Sequence, residues 1–346
     1  MKRTNRKAAI TIFDIAKAAG VSSATVSRVV NNTGRISAET RARVLAQMEA
    51  LGYIPNESAR RLAGMTRSQV IGLLVHALGN EYIGEIIRGI EEQLEQASYD
   101  LVVHTTHRRR GKEAEYVSTI TQRHADGLLL VVPIGREEYL DRLDELRFPY
   151  VLVDVDGEDA RLGPSVGTTN QQGAYDATQH LLELGHRRIA FVTDTPDITS
   201  GVERLKGYRA ALDAYGVPYD PTLVQADNFV KPDPRVLLEG LLALDDPPTA
   251  VLTSSDPVAF RVQEILRAVG FDVPRDVSVV GFDDIPQSGL EYRQLTTVHQ
   301  PLYELGAAAA RMLLARIDDP ELPAEHIQLP THLVVRGSTA VRRPKL

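Results

Sequence analysis

Residues 20–32 read GVSSATVSRVVNN: a glycine, two serines, then valines at 26, 29 and 30 that share one face of a helix. Ser22 is placed to cap that helix, which leaves Ser23, Ala24, Ser27 and Arg28 on the outer side. Upstream, Thr11 and Asp14 have the spacing of a capping box, Ile12, Ile15, Ala16 and Ala19 form an inward stripe, and Gly20 can end the helix in the left-handed conformation. Downstream, residues 31–34 (NNTG) read as a loop. Ser37 then starts a third helix, with Glu39 near its positive end, Val44, Leu45, Met48 and Leu51 inward, and Gly52 as its stop. The spacing predicts three short helices around one miniature core.

Charge is distributed unevenly around this segment. The chain of 346 residues carries −7 overall. Residues 1–67 hold twelve Lys or Arg against four Asp or Glu, a balance of +8, which leaves −15 for the rest. A basic head on an acidic body is what an anion-binding module joined to a separate domain shows; a solvated charged face is the plainer reading. The length calls for more than one globular unit, and no apolar run is long enough to cross a bilayer. The basic N-terminus lacks the apolar stretch of a secretory signal, so a cytoplasmic location is expected. With no cysteine, disulfides, thiolate metal sites and thiol nucleophiles are excluded. Neither G-x-G-x-x-G, a P-loop nor G-x-S-x-G occurs, so an enzyme is not expected, and no cofactor or metal is implied.

Beyond the three helices lies PNESARRLAG (55–64), where Asn56 can cap and Gly64 can stop a helix too short to hold itself in water. Such a segment orders only against a partner. From Val70 onward, short apolar runs alternate with amphipathic helices. VIGLLVH leads to a helix over 81–98, YDLVVHT to one near 113–123, DGLLLVV to one near 137–146, and YVLVDV follows. Helices beginning near Asn170, Ser200, Pro234 and Asp256 then alternate with RIAFVT, TLVQA, AVLTS and VSVVGF, and THLVVRGST supplies a last strand. Continuous apolar strands alternating with helices indicate parallel sheets covered on both faces, and this many strands makes two doubly wound halves. Ligands in such folds lie beyond the carboxyl ends of the strands.

Seven motifs in order now carry a resemblance that spans nearly the whole chain. They are TIFDIAKAAGVSSATVSRVVNN, RISAETRARVLAQMEALGYIPNESARRLAG, HADGLLLV, HLLELGHRRIAFV, RLKGYRAAL, SVVGFDDIP and LTTVHQP. The chain resembles the lactose repressor and galactose repressor family of bacterial transcription regulators. The resemblance implies an α/β architecture: an N-terminal helix-turn-helix domain (1–55), a hinge helix and linker (56–68), and a two-lobed, periplasmic-binding-protein-like body for effector binding and dimerisation (69–346). Its N-terminal lobe would take about 69–166 and 296–326, its C-terminal lobe about 167–295 and 327–346.

The family also implies roles for particular residues. Ser23, Ala24 and Arg28 would face base edges of operator DNA, where Arg28 can make a bidentate contact to guanine giving about 1–3 kcal/mol of discrimination. Thr11, Ser22, Thr25, Asn31, Ser37 and Thr40 would contact the DNA backbone. In the hinge, Asn56, Ala59, Arg60 and Leu62 match, with Leu62 as the wedge in the minor groove. Around the cleft, Arg204 and Asp283 occupy effector-contacting positions, or else join the lobes by a salt bridge. Asp154, Phe229 and Tyr82 are further wall residues. Carboxylates and a guanidinium bond hydroxyls directionally, and an aromatic covers a sugar's apolar face. Ser255 stands where many sugar-binding members carry asparagine. The stretch HTTHRRRGK (104–112) is either a solvated loop or a receptor for a phosphorylated sugar, and the spacing of His104 and His107 alone is a poor metal site.

The expected function is a DNA-binding repressor whose pseudo-palindromic operator is released or bound as a small molecule, a sugar or sugar derivative, shifts the lobes. An inducer rather than a corepressor is expected. The C-terminal VRRPKL carries no leucine repeat, so a homodimer rather than a tetramer is expected. The body alone would also fit a solute-binding protein for sugar uptake, a class that carries a signal peptide and no basic head.

Overall fold

The computed structural model describes residues 10–30, 34–51, 53, 67–107, 109–122, 125–133, 139–155, 163–193, 198–226 and 234–342. The chain separates into two compact units, Met1–Arg67 and Ser68–Leu346.

In the first unit, three helices are described: α1 (Ile12–Ala19), α2 (Ser23–Val30) and α3 (Ala38–Leu51). Gly20, at φ 65°, ends α1 in the left-handed region, and its turn feeds directly into the Ser22 cap of α2. Ile15, Ala16, Ala19, Val26, Val29 and Val44 form the core, with Ile12, Val30, Met48 and Tyr53 packed at its edge. Two of the four residues expected inward on α3 turn outward. Leu45 is 48% and Leu51 39% exposed, because a core this small is filled by Val44 and the flank of Met48. The expected stop at Gly52 lies outside the described residues.

The second unit is built on two six-stranded sheets. The first contains β1 (Val70–Val75), β2 (Asp100–Thr105), β3 (Gly127–Val131), β4 (Tyr150–Val153), β5 (Ser165–Thr168) and β11 (His326–Leu329), in the order β11-β5-β4-β3-β1-β2. The second contains β6 (Ile189–Thr193), β7 (Val224–Ala226), β8 (Ala250–Thr253), β9 (Ser278–Asp283), β10 (Thr296–His299) and β12 (His332–Val334), in the order β12-β10-β9-β8-β6-β7. All pairings are parallel except β10 with β12. The THLVV run is therefore an antiparallel edge on an otherwise parallel sheet.

The central strands β3, β4, β6, β8 and β9 are buried along their whole length, as strands covered on both faces must be. On one face of the first sheet lie α4 (Glu81–Gln96) and α11 (Leu302–Asp318); on the other, α5 (Arg110–Thr121) and α6 (Leu140–Glu145). The second sheet is covered by α7 (Asn170–Glu183) with α8 (Thr199–Ala214), and by α9 (Pro234–Leu242) with α10 (Asp256–Ala268). The paired helices approach unusually closely. A Cβ on Gly89 would collide with the Tyr303 carbonyl, one on Gly306 with the Ile86 carbonyl, and one on Gly207 with the Gln171 carbonyl.

The chain passes between sheets three times: after β5, after β10 and after β11. These passages lie slightly beyond the limits near 166, 295 and 326 expected from sequence, because Ser165–Thr168 and His326–Leu329 complete strands of the first sheet and Thr296–His299 one of the second. The passages are tied together. Thr331 donates its amide to the Thr169 hydroxyl at 2.8 Å and its own hydroxyl to the Thr169 carbonyl at 3.1 Å, while Thr168 donates to Gln300 Oε1 at 2.6 Å. Among the described residues, no helix is long and apolar enough to cross a membrane.

Candidate functional site

The first unit presents one solvent-facing helix with little on it. Ala24 and Arg28 of α2 are exposed and Ser23 is half-buried, while Val26 and Val29 anchor the opposite side. Among the hydroxyls expected at a DNA backbone, most are already engaged in holding helix ends. Thr11 donates to Asp14 Oδ2 at 2.7 Å from its hydroxyl and at 2.8 Å from its amide, and these bonds hold the Asp14 carboxyl below its ordinary pKa. Ser22 Oγ accepts from the Thr25 amide at 3.1 Å and pairs with the Thr25 hydroxyl at 2.9 Å. Ser37 repeats the arrangement with Thr40, at 3.2 and 2.8 Å. The three positions thus mark helix N-termini, where the remaining amides and the helix dipole favour an anion. Asn31, Asn56, Ala59, Arg60 and Leu62 lie outside the described residues. Phe13, absent from the expected set, is 70% exposed on α1; its signal in the sequence is an aromatic that falls off the inward stripe.

In the second unit, charged groups from both sheets converge at strand carboxyl ends. From the first sheet come Asp154, directly after β4, and Tyr82, in the first turn of α4. The Tyr82 hydroxyl donates to Asp154 Oδ2 at 2.7 Å, and Asp154 Oδ1 is buried with no partner. From the second come Asp283, the last residue of β9, and Arg204 on α8, both nearly fully buried. Arg204 donates from Nε to Asn170 Oδ1 at 2.7 Å and from Nη1 to the Ser254 carbonyl. Its guanidinium lies 3.8 Å over the Phe282 ring, and Nη1 is 3.7 Å from Asp283 Oδ1. That same oxygen accepts from Gln300 Nε2 at 2.8 Å.

The two sets feel each other. Burial, then the Asp154 and Asp283 charges, push the Tyr82 phenol well above its ordinary pKa, while Arg204 opposes them. Burial raises the Asp283 carboxyl well above its ordinary value against the pull of Arg204, with Asp256 and Asp154 adding to the rise. Ser255 is half-buried at the start of α10 and sits between Ser254, which holds Arg204, and Asp256. Phe229 lies outside the described residues. Asn170, Gln300, Thr168 and Phe282 complete the network and were not expected; Gln300 directly follows β10 and Asn170 comes two residues after β5, the one signal that marked them.

A strained turn brings Asp283 into place. Asp283 and Asp284 have φ of 122° and 56°, values that L residues adopt at a cost of about 1–3 kcal/mol each. Asp256, fully buried, ties the turn down: Oδ2 accepts from the Ile285 amide at 3.0 Å and from Ser288 at 2.6 Å, and Oδ1 accepts from Thr297 at 2.5 Å. Asp284 is held by Arg336 at 2.7 Å and His299 at 3.0 Å. The turn then reaches the other lobe, where Ile285 packs among the apolar residues of the first sheet and Gln287 donates to Glu81 at 2.5 Å.

HTTHRRRGK spans the last two residues of β2, the edge strand of the first sheet, and runs into the first turn of α5. His104 stacks on Tyr116 at 4.9 Å, and Lys112 pairs with Glu115 at 2.6 Å.

Comparison with known proteins places these features. Residues 11–56 match the family described as bacterial regulatory proteins, lacI family, and residues 178–339 match a periplasmic binding protein-like domain. The HTH-type transcriptional regulator DegA of Bacillus subtilis (strain 168) is 34% identical over 332 residues, covering 95% of this chain and 98% of that protein. A structure of the transcriptional regulator CelR with cellobiose superposes with a TM-score of 0.69 at 33% identity, covering 95% of this chain and 99% of that one. The Lac repressor dimer bound to operator and the anti-inducer ONPF gives 0.77 at 27% identity, covering 96% and 99%. With its capped helix-turn-helix and its two-lobed body, the chain belongs to the LacI family of bacterial regulatory proteins and is a transcriptional regulator, not an enzyme.

Proposed function

We propose that this regulator is a cytoplasmic, homodimeric repressor that binds a pseudo-palindromic operator and changes its affinity for it when a sugar occupies the cleft. The observation that carries the reading is the meeting of Tyr82 and Asp154 from one lobe with Arg204 and Asp283 from the other at strand carboxyl ends. A ligand held by both lobes has a different affinity for each relation between them, which is what an effector needs. Ser255 and Phe229 complete the proposed wall.

At the other end of the chain, residues 1–55 read DNA and 56–68 form the hinge. Ser23, Ala24 and Arg28 face bases, Thr11, Ser22, Thr25, Ser37 and Thr40 position the unit on phosphates at their helix N-termini, and Asn31 is a further phosphate contact. Asn56, Ala59, Arg60 and Leu62 enter the minor groove, with Leu62 as wedge. The operator-bound Lac repressor dimer and the CelR–cellobiose complex support the choice of partners by similarity. The test is a mobility shift on the palindromic DNA upstream of the chain's own coding sequence, at several salt concentrations and with a sugar panel. A steep loss of binding with salt, strong sequence preference and a sugar-dependent shift are expected; flat, weak binding would refute the reading.

A further inference from the structure

We infer that His299 and His332 form a binding site for a divalent metal of the Zn²⁺, Ni²⁺ and Cu²⁺ class, where β10 lies against β12. The site stands apart from the cleft and from the helical unit. One passage between the sheets leaves from the end of β10, and another arrives at the start of β12.

The strand pairing brings the two imidazoles together. β10 and β12 are antiparallel, and their register sets His299 directly opposite His332. Residues opposite each other in such a pair hold their Cβ atoms about 4.5–5.5 Å apart on one side of the sheet. The ring centroids are 4.8 Å apart and the planes are tilted by 41°. A metal about 2.0–2.1 Å from an imidazole nitrogen lies about 3.2 Å from the ring centre, so the 4.8 Å spacing corresponds to an N–metal–N angle of about 100°. That angle falls between the square and the tetrahedral arrangements these ions adopt.

His299 already has the orientation of a ligand. Its Nδ1 lies 3.0 Å from Asp284 Oδ2, and the other oxygen of that carboxylate pairs with Arg336 at 2.7 Å. A carboxylate can only accept here, so the ring proton sits on Nδ1 and the Nε2 lone pair is left for a metal. A carboxylate behind a ligating imidazole fixes its tautomer and raises its basicity. His332 is exposed on the edge strand β12, where its ring can turn to meet the ion.

The donors select the metal. Among the described residues no three His, Cys, Asp or Glu side chains converge on one point, so the protein supplies two nitrogens and water completes the shell. The charges of Asp284 and Arg336 alongside cancel, which leaves the imidazoles to supply the attraction. Imidazole suits Zn²⁺, Ni²⁺ and Cu²⁺, whereas Mg²⁺ and Ca²⁺ take oxygen ligands.

The test is calorimetric titration of the full-length protein with Zn²⁺, alone and in the presence of excess Mg²⁺. A micromolar site that Mg²⁺ leaves unchanged is expected, and His299→Asn and His332→Asn should each weaken it at least about tenfold. The chain has nine histidines, so the variants decide which of them bind. No micromolar binding, displacement by Mg²⁺, or an affinity unchanged in either variant overturns the inference. Melting temperatures without metal check that both variants fold. If His299→Asn does not, the electron spin resonance spectrum of the parent protein with one equivalent of Cu²⁺ is read in its place. Coupling to two imidazole nitrogens, reduced in His332→Asn, supports the pair; a spectrum that this substitution leaves unaltered overturns it. Neither measurement requires operator or sugar, so the outcome is separate from that of the proposed function.

Discussion

The three-helix unit and the cleft of the body solve opposite problems. In the first, hydroxyls and a carboxylate are spent on closing helix ends, and Ala24 and Arg28 are left bare to the solvent side. In the second, charged groups are buried nine-tenths or more and must satisfy one another. A surface that waits for a polyanion tolerates substitution in its exposed face, whereas a buried charge network binds its own fold and its ligand with the same atoms. The contrast predicts that single substitutions in the cleft disturb stability more than those on the helical unit.

The largest effect is expected at Arg204. Arg204→Ala takes the guanidinium away from Asp283 and Asn170 in a buried site, and breaking such a buried pair costs about 3–5 kcal/mol. Urea denaturation of the body would measure it; a loss under about 1 kcal/mol would mean water replaces the guanidinium freely.

Next is a pH effect. Burial lifts the Asp256 carboxyl from 3.8 to about 6, against the three hydrogen bonds it accepts. Between about pH 4 and 6 the folded chain therefore holds a proton that the unfolded chain has lost, so stability falls as pH rises through this window, by about 2–3 kcal/mol for this group alone. Asp256→Asn should flatten that part of the profile; an unaltered slope would assign it to other groups.

In the small unit, Val26→Ala removes one of six buried core residues and is expected to cost about 2 kcal/mol, read as a lower melting temperature of the helical unit. Smallest is Ser22→Ala, which removes the cap of α2 for about 1 kcal/mol. If the Ser22 change exceeds that at Arg204, the contrast between the two regions fails.

Much of this was legible in the chain. The buried strands β1, β3, β4, β6, β8 and β9 stand out as apolar runs, and the family resemblance picks out Asp154 and Asp283 at the ends of two of them. What escaped is chemically quieter. Ser165–Thr168 and Thr296–His299 look like loop sequence, yet they are strands whose hydroxyls find partners inside: Ser165 pairs with His326, Thr297 with Asp256, and Thr296 accepts from the Arg336 amide. Burial of a polar strand depends on those distant partners, which periodicity cannot reveal. The helix Leu302–Asp318 is likewise masked, since Ala307–Ala310 are buried on all sides and erase the 3.6-residue stripe. Asn170 and Gln300 carry no charge, so nothing separated them from ordinary caps until Arg204 and Asp283 were seen against them.

The lacing of Thr169 to Thr331 and of Thr168 to Gln300 bears on how a signal crosses the body. Cords plaited at the waist do not swing like a door on a pin; they wring. Any turning of one half against the other has to be shared among all the plaited threads, because the bonds between them load every passage when one is moved.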